Sequence, residues 1–209
     1  MNREFNTVVF DFGGVLIDWN PRYLYRNIFE DEHEMEWFLE NVCTEAWNTL
    51  QDEGYSFSEL IPELKKKYPE YSDKIEMYQR RWPEMVRSEI TGSIKILREI
   101  QAKNYPVYGL TNWGFETFPI VFERFDFLRS LTGIVVSGDE KLIKPDPKLF
   151  EILIARYNIK PESCIFIDDN LRNIQSADEI GFKTIHFVSP ENLRNDLQLL
   201  NVLQGKILT

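Results

Sequence analysis

Four short segments of the chain place chemically active side chains directly after or between apolar runs. The first is the carboxylate of Asp11, which follows Val8-Val9-Phe10 and precedes two glycines. The other three supply a hydroxyl with an amide, a cation before a proline, and two adjacent carboxylates: Thr111-Asn112, Lys144-Pro145 and Asp168-Asp169. An aspartate at the tip of a buried strand is suited to act as a nucleophile, and grouped carboxylates are suited to hold a hard divalent cation.

Composition narrows the class of protein that could use these groups. The 209 residues are enough for one full domain with an insertion. A formal net charge of -10 argues against a nucleic acid or an anionic membrane as partner, so an anionic substrate would need a local positive group. Cys43 and Cys164 lie far apart and predict neither a disulfide nor a zinc site.

Nothing in the sequence predicts a signal peptide, and no apolar stretch reaches the roughly 18 residues of a membrane helix. We therefore predict a cytoplasmic protein with a small-molecule substrate, acting as a monomer or a weak dimer.

The four segments belong to an alternating series of strands and helices. Buried strands are predicted at apolar runs that lack period-2 alternation: 7–12, 107–111, 133–137, 163–167 and 183–188. Helices are predicted between the later strands, with one clear apolar stripe in 147–157. This order predicts an α/β fold, a Rossmann-like parallel sheet with right-handed crossovers and helices on both faces.

The stretch 18–88 differs from the rest of the chain. It is amphipathic and charged, carries many scattered aromatic residues and shows no strand-like run, so we predict four or five helices. Pro21 and the Ser56–Glu59 capping-box pattern mark two of the helix starts. The predicted catalytic core is 1–17 with 89–209, and 18–88 is predicted to be a helical cap inserted after the first strand.

The carboxyl ends of parallel strands share one edge of the sheet, which is where open α/β sheets bind ligands. The four segments should therefore converge at a single site, and Lys144 would be its local positive group.

In order along the chain, the four segments resemble the motifs of the haloacid dehalogenase-like (HAD) hydrolase superfamily. The residues that carry the resemblance are Asp11-Phe12-Gly13-Gly14-Val15, Leu110-Thr111-Asn112, Lys144-Pro145-Asp146 and Phe166-Ile167-Asp168-Asp169-Asn170. Each motif is weak alone, but four in order with the expected strands and helices are specific. The insertion lies where that superfamily carries a C1-type cap, and the chain is most similar to bacterial sugar-phosphate phosphatases of the glucose-1-phosphate phosphatase type.

The resemblance implies a phosphoryl-transfer site that contains magnesium. Asp11 would attack phosphorus and form an aspartyl-phosphate. Asp11, Asp169 and the backbone carbonyl of Gly13 would hold Mg²⁺, and Asp168 with Asn173 would orient the ion or its waters. Which of the two adjacent aspartates contacts the metal stays open, so both are candidate metal residues.

The resemblance also implies how the phosphate is held. The Thr111 hydroxyl, the Asn112 backbone N–H and the Lys144 ammonium would bind the oxygens on which negative charge accumulates. Thr111 and Lys144 thus join Asp11 as the predicted catalytic residues. Gly13 and Trp113 complete the candidate substrate-binding residues.

Position 13 departs from the pattern. Many phosphatases of the superfamily carry a second aspartate two residues after the nucleophile as general acid and base, and this chain has Gly13 there. Either the leaving group needs little protonation, or a cap residue or water supplies the proton. Dehalogenases of the superfamily also lack that aspartate, yet they need no metal and usually replace the acids of the fourth motif by serines, whereas Asp168-Asp169 is present here.

The sequence thus predicts a Mg²⁺-dependent phosphomonoesterase acting on a small phosphorylated metabolite, with a sugar phosphate as the favoured class. The alternatives are a 2-haloacid dehalogenase-type hydrolase and a HAD-like binding protein without turnover.

Overall fold

The structure is a computed structural model that describes residues 4–204. Its strands and helices, in chain order, are β1 (Thr7–Phe10), β2 (Ile17–Trp19), α1 (Arg22–Tyr25), α2 (Glu32–Asn41), α3 (Glu45–Asp52), α4 (Phe57–Lys67), α5 (Ser72–Arg80), β3 (Val86–Glu89), α6 (Thr91–Ala102), β4 (Val107–Thr111), α7 (Phe118–Arg124), α8 (Asp126–Arg129), β5 (Gly133–Val136), α9 (Ser137–Glu140), α10 (Pro147–Tyr157), β6 (Cys164–Asp168), α11 (Leu171–Ile180), β7 (Lys183–His186) and α12 (Pro190–Leu199). Short 3-10 helices occupy Pro69–Tyr71, Trp82–Met85 and Pro161–Ser163. Between residues 4 and 204, no helix combines the length and the apolar character needed to cross a bilayer.

Five strands form one parallel sheet in the order β5-β4-β1-β6-β7. The central strand, β1, pairs Val8 with Val107 on one side and with Ile165 on the other. This arrangement confirms the predicted α/β fold and its parallel sheet. β1 ends at Phe10, two residues before the predicted end, because the chain leaves the sheet toward a turn at Gly14, where φ is +73°.

Helices cover both faces of the sheet. Successive side chains of a strand point to opposite sides, and in β1 the side chains on both sides are buried. On one face, Val8 packs in the same buried cluster as Leu97 of α6 and Leu193 of α12. On the other face, Val9 packs in a cluster with Leu149 of α10. A strand covered on both sides has no polar face, which explains why the sequence of β1 is apolar without alternation.

The helices α1 to α5 lie between β2 and β3, in agreement with the predicted helical character of this stretch. The two strands themselves were not predicted. They form a separate antiparallel pair in which Ile17 lies opposite Glu89 and Trp19 opposite Val86. Strands of three and four residues are too short to give a readable period. The pair joins the two points where the chain enters and leaves the helical insertion. The division into a core of 1–17 with 89–209 and a cap of 18–88 stays a prediction.

Aromatic side chains fill the interior of the insertion. Tyr25 and Phe38 are fully buried with ring centroids 4.9 Å apart, and Trp47 meets Tyr78 edge-on at 5.0 Å. Trp47 therefore belongs to the packing of the insertion.

Candidate active site

The carboxyl ends of three neighbouring strands bring the predicted side chains to one edge of the sheet. Asp11 follows β1 directly, Thr111 is the last residue of β4 and Asp168 is the last residue of β6. Lys144 reaches the same place from the loop between α9 and α10. Its Nζ lies 2.9 Å from Asp11 Oδ1 and 2.6 Å from Asp168 Oδ2. All four sequence segments therefore meet in space.

Lys144 is a buried cation at the centre of this group. Its side chain is fully shielded from solvent, and its Nζ also donates to the carbonyl of Leu110 at 2.9 Å. Burial lowers the pKa of Lys144, but the charges of Asp11 and Asp168 outweigh that effect and raise the pKa above its usual value. The ammonium therefore stays protonated and supplies the local positive charge that an acidic protein needs for an anionic substrate.

The side chain of Asn112 holds the loop that carries Lys144. Asn112 Oδ1 accepts from the Lys144 backbone N–H at 2.8 Å, and Asn112 Nδ2 donates to the Lys144 carbonyl at 2.9 Å. The amide is thus engaged in positioning the lysine, which leaves only the backbone N–H of Asn112 for the predicted phosphate contact.

The two adjacent aspartates have different surroundings. Asp168 is completely buried, and both of its oxygens accept hydrogen bonds: Oδ2 from Lys144 at 2.6 Å and from Asn173 at 3.0 Å, Oδ1 from the Asn170 backbone N–H at 2.8 Å. Asp169 is exposed and lines the cavity above the site. Asp169 is therefore the member of the pair that could contact an ion directly, whereas Asp168 is engaged with Lys144 and Asn173.

The three carboxylates fit a divalent cation. Asp11, Asp168 and Asp169 each offer an oxygen, and these oxygens lie within 4.8 Å of one another. Burial raises the pKa of Asp11 to about 7, Lys144 opposes this rise, and the charges of Asp168 and Asp169 add to it. Three carboxylates thus face one ammonium, and an all-oxygen donor set with excess negative charge suits Mg²⁺.

Gly14 gives Asp169 the space it occupies. The backbone of Gly14 is left-handed, with φ at +73°, and a Cβ on this residue would overlap Oδ2 of Asp169. Glycine is therefore required here both for the turn after β1 and for the close approach of the Asp169 carboxylate.

Replacing Gly14 by alanine should weaken Mg²⁺ binding by about 10–100-fold, because the methyl group would push the Asp169 carboxylate away from Asp11. The rise in Tm on titration with MgCl₂ measures this affinity without relying on turnover. Gly181→Ala is the matched control, since Gly181 is also left-handed (φ +104°) but its Cβ would meet only Pro161, at 3.9 Å. An equal rise in Tm with MgCl₂ for the two variants would contradict the view that Gly14 makes room for a metal-binding Asp169.

Thr111 also lies at the site, with its side chain fully buried. Its Oγ1 has no hydrogen-bond partner among residues 4–204. A buried hydroxyl without a partner is costly in free energy, so such a group is expected to bind a ligand atom. This environment is compatible with the predicted contact to a phosphate oxygen.

A cavity of about 770 Å³ opens between the sheet edge and the helical insertion. Its floor includes six of the predicted site residues: Asp11, Gly13, Asn112, Trp113, Lys144 and Asp169. The opposite wall comes mainly from α2, α3 and the aromatic interior of the insertion, and includes Leu39, Cys43, Asn48, Asp52, Tyr78 and Trp82. The volume is large enough for an organic group beyond a phosphate.

Two wall residues have roles that the sequence does not reveal. Trp82 meets the ring of Trp113 edge-on, with centroids 5.9 Å apart, so the insertion and the core share an aromatic contact above Gly13. Asp52 ends α3 and faces the same cavity as Asp11. An aspartate at the end of an amphipathic helix has no distinguishing pattern, and only the packing of α3 against the core brings it to the site.

Comparison with known proteins places this geometry in a family. The model of the haloacid dehalogenase-like hydrolases matches residues 8–187. The sesquiterpene phosphatase astK of Aspergillus oryzae is 24% identical over 186 residues, which cover 89% of this chain and 91% of the relative. The phosphorylated carbohydrates phosphatase of Thermotoga maritima is 23% identical over 184 residues, covering 87% and 84%.

Solved structures share the fold. A HAD family enzyme of Bacteroides thetaiotaomicron, determined as a magnesium complex, superposes with a TM-score of 0.68 at 19% identity and covers 90% of this chain and 95% of that one. The family match extends across the core and the insertion and contains all four motifs. The resemblance inferred from those motifs is therefore confirmed, and the chain belongs to the haloacid dehalogenase-like hydrolase family.

Proposed function

We propose that this hydrolase is a Mg²⁺-dependent phosphomonoesterase that acts on a small phosphorylated metabolite through an aspartyl-phosphate on Asp11. The observation that carries the proposal is the position of Asp11, 2.9 Å from the buried ammonium of Lys144 and grouped with Asp168 and Asp169. Such a site offers a nucleophile, a cation for phosphate oxygens and ligands for a metal. The relatives named as phosphatases support the same chemistry.

In this mechanism the Asp11 carboxylate attacks phosphorus in line with the leaving oxygen, and water later releases phosphate from the acyl phosphate. The Lys144 ammonium, the Thr111 hydroxyl and the Asn112 backbone N–H hold the other phosphate oxygens. Asp11, Asp169 and the Gly13 carbonyl would hold Mg²⁺.

When bound, that ion would neutralise the repulsion between nucleophile and substrate. The Asn173 side chain donates hydrogen bonds to the Asp168 carboxylate, and the two residues would orient the ion or its waters.

The proposed substrate class is a sugar phosphate. Three residues that line the cavity carry buried N–H groups with no acceptor among residues 4–204: Trp19 Nε1, Gln51 Nε2 and Trp113 Nε1. Buried donors without acceptors are costly, and an oxygen-rich ligand is the kind they would bind. The carbohydrate phosphatase relative from Thermotoga maritima is consistent with this class.

Hydrolysis of p-nitrophenyl phosphate should require Mg²⁺ and should fall by more than about 100-fold in excess EDTA, because several kcal/mol of charge stabilisation are removed. Activity should return when MgCl₂ is added back in excess. Release of chloride from 2-chloropropionate in EDTA would instead identify a dehalogenase, and absence of both activities would favour a binding protein. A panel of sugar phosphates would then rank substrates by kcat/KM.

A further inference from the structure

The residue after Phe12 provides no proton donor for a leaving group. Gly13 has no side chain, and the atom nearest to the place of its Cβ is Cζ3 of the Trp113 ring, at 3.9 Å. An alkoxide leaves slowly unless it is protonated as the bond to phosphorus breaks, and a positioned acid typically contributes about 10²–10⁴ in rate. The acid for a sugar phosphate must therefore come from another wall of the cavity.

Outside the metal site, three acidic residues line the cavity: Glu40, Glu45 and Asp52. Glu40 and Glu45 are exposed to solvent. Asp52 is partly buried and lines the same cavity as Asp11 and Lys144, whose charges shift the pKa of its carboxyl group in opposite directions. Among residues 4–204, no hydrogen bond or ion pair holds the Asp52 side chain, and its oxygens are not among the fully buried polar atoms that lack a partner. Asp52 lines the cavity, so its carboxyl group is available to a bound ligand.

The end of α3 is held against the core on both sides of Asp52. Gln51 packs on Gly114, and a Cβ added to Gly114 would lie only 3.3 Å from the Cβ of Gln51. Gly54, with φ at +93°, approaches so closely that its Cβ would lie 2.9 Å from the Gly138 carbonyl oxygen. The Phe57 backbone N–H then donates to Glu116 at 2.5 Å. These contacts hold the end of α3, which carries Asp52, against the core at the cavity that also contains Asp11.

We propose that Asp52, from the helical insertion, is the general acid and base of the reaction and replaces the aspartate that is absent at Gly13. The proposal rests on the proposed phosphomonoesterase function. It implies that the insertion, besides covering the substrate, supplies a reacting group.

The proton balance of the two steps is simple. In the first, an Asp11 oxygen bonds to phosphorus, the bond from phosphorus to the leaving oxygen breaks, and the Asp52 proton passes to that oxygen to give the free alcohol. In the second, the oxygen of a water molecule bonds to phosphorus, the Asp52 carboxylate takes a proton from that water, and the bond between phosphorus and the Asp11 oxygen breaks. Inorganic phosphate leaves, and both aspartates return to their starting states.

The protonation state of Asp52 is consistent with this role. Burial raises its pKa to about 8, the negative charge of Asp11 adds to the rise, and Lys144 opposes it. The carboxyl group is therefore protonated at neutral pH, as a general acid must be at the start of the cycle.

Asp52→Asn tests the proposal through the dependence on leaving group. For sugar phosphates, kcat/KM should fall by about 10²–10⁴, because the alkoxide departs without a proton. For p-nitrophenyl phosphate, whose phenol is acidic, kcat/KM should fall by less than about 10-fold, since that step needs little protonation. Across substituted phenyl phosphates, the dependence of log kcat/KM on leaving-group pKa should become steeper. Glu53→Gln, the adjacent acid outside this cavity, is the matched control and should behave as wild type.

The outcomes separate this inference from the function on which it rests. Equal losses for all leaving groups, or no loss for any, would overturn the role of Asp52 while leaving the phosphatase proposal intact. An inactive wild-type protein would overturn both. The Tm of Asp52→Asn should equal or exceed that of wild type, because a carboxyl group that is costly to ionise has been removed, so a selective loss cannot be attributed to unfolding.

Discussion

Asp11→Asn is expected to abolish phosphatase activity, lowering kcat by about 10⁴-fold or more, since a nucleophile that forms the covalent intermediate has no substitute. The amide is close in size to the carboxylate but cannot attack phosphorus. Steady-state hydrolysis of p-nitrophenyl phosphate at saturating Mg²⁺ measures the loss. Residual activity above about 1% would exclude Asp11 as nucleophile.

The same variant should stay folded. The carboxyl group of Asp11 is buried, and burial raises its pKa to about 7, so its ionised form is costly for the folded protein. Removing that charge should leave Tm unchanged or higher, while Lys144 keeps Asp168 as its partner at 2.6 Å. A lower Tm would mean that Asp11 stabilises the fold, and the kinetic loss would then need a second, independent test.

Lys144→Met is expected to cost both activity and stability. Its Nζ is the positive partner of two buried carboxylates, and removing one partner of a buried ion pair typically costs about 3–5 kcal/mol in the free energy of unfolding. Methionine matches the length of the side chain but supplies no charge. Urea unfolding measures the stability, and turnover of p-nitrophenyl phosphate should be lost because the phosphate oxygens lose their cation.

The loss of stability in Lys144→Met should depend on pH. In the wild type, Lys144 opposes the rise in the pKa of the buried Asp11 carboxyl group. Without Lys144, the pKa of Asp11 in the folded state therefore rises further above that of the unfolded chain. Stability is then retained at low pH and lost as pH rises. The difference between variant and wild type should therefore be larger at pH 8 than at pH 5.

Two controls isolate the ion pair. Lys148→Met removes an exposed lysine four residues away and should change stability by no more than about 0.5 kcal/mol. Adding Asp168→Asn to Lys144→Met should recover part of the lost stability, because it removes a carboxylate left without its partner. A double variant as unstable as the sum of the two single ones would show that the pair does not interact as described.

Much of the site could be predicted from the sequence because its parts are encoded locally. The apolar run before Asp11 predicts a buried strand, and the glycines after it predict a turn. Since parallel strands present their carboxyl ends at one edge, the topology alone requires Asp11, Thr111 and Asp168 to meet. Order and spacing along the chain were therefore sufficient for the fold class and for the convergence of the four segments, while the resemblance of those segments to known motifs pointed to the family and to the candidate residues.

Other features depended on contacts between segments that are distant in sequence. Adjacent aspartates look alike in a sequence, yet the structure points Asp168 inward to Lys144 and leaves Asp169 at the cavity. The pairing of β2 with β3 escaped prediction because such short strands are defined by each other rather than by a period. For these features, the environment of a side chain matters more than its neighbours in the chain.

Asp52 shows most clearly what could not be predicted from the sequence alone. The sequence alone determined that Asp11 stands at a strand tip and that Gly13 cannot supply a proton, since both are properties of a residue type at a local position. Only the tertiary structure decided which acid faces the same cavity, because that depends on how α3 docks at Gly114 and Gly138. Docking arises from packing between the insertion and the core, and no local pattern encodes it.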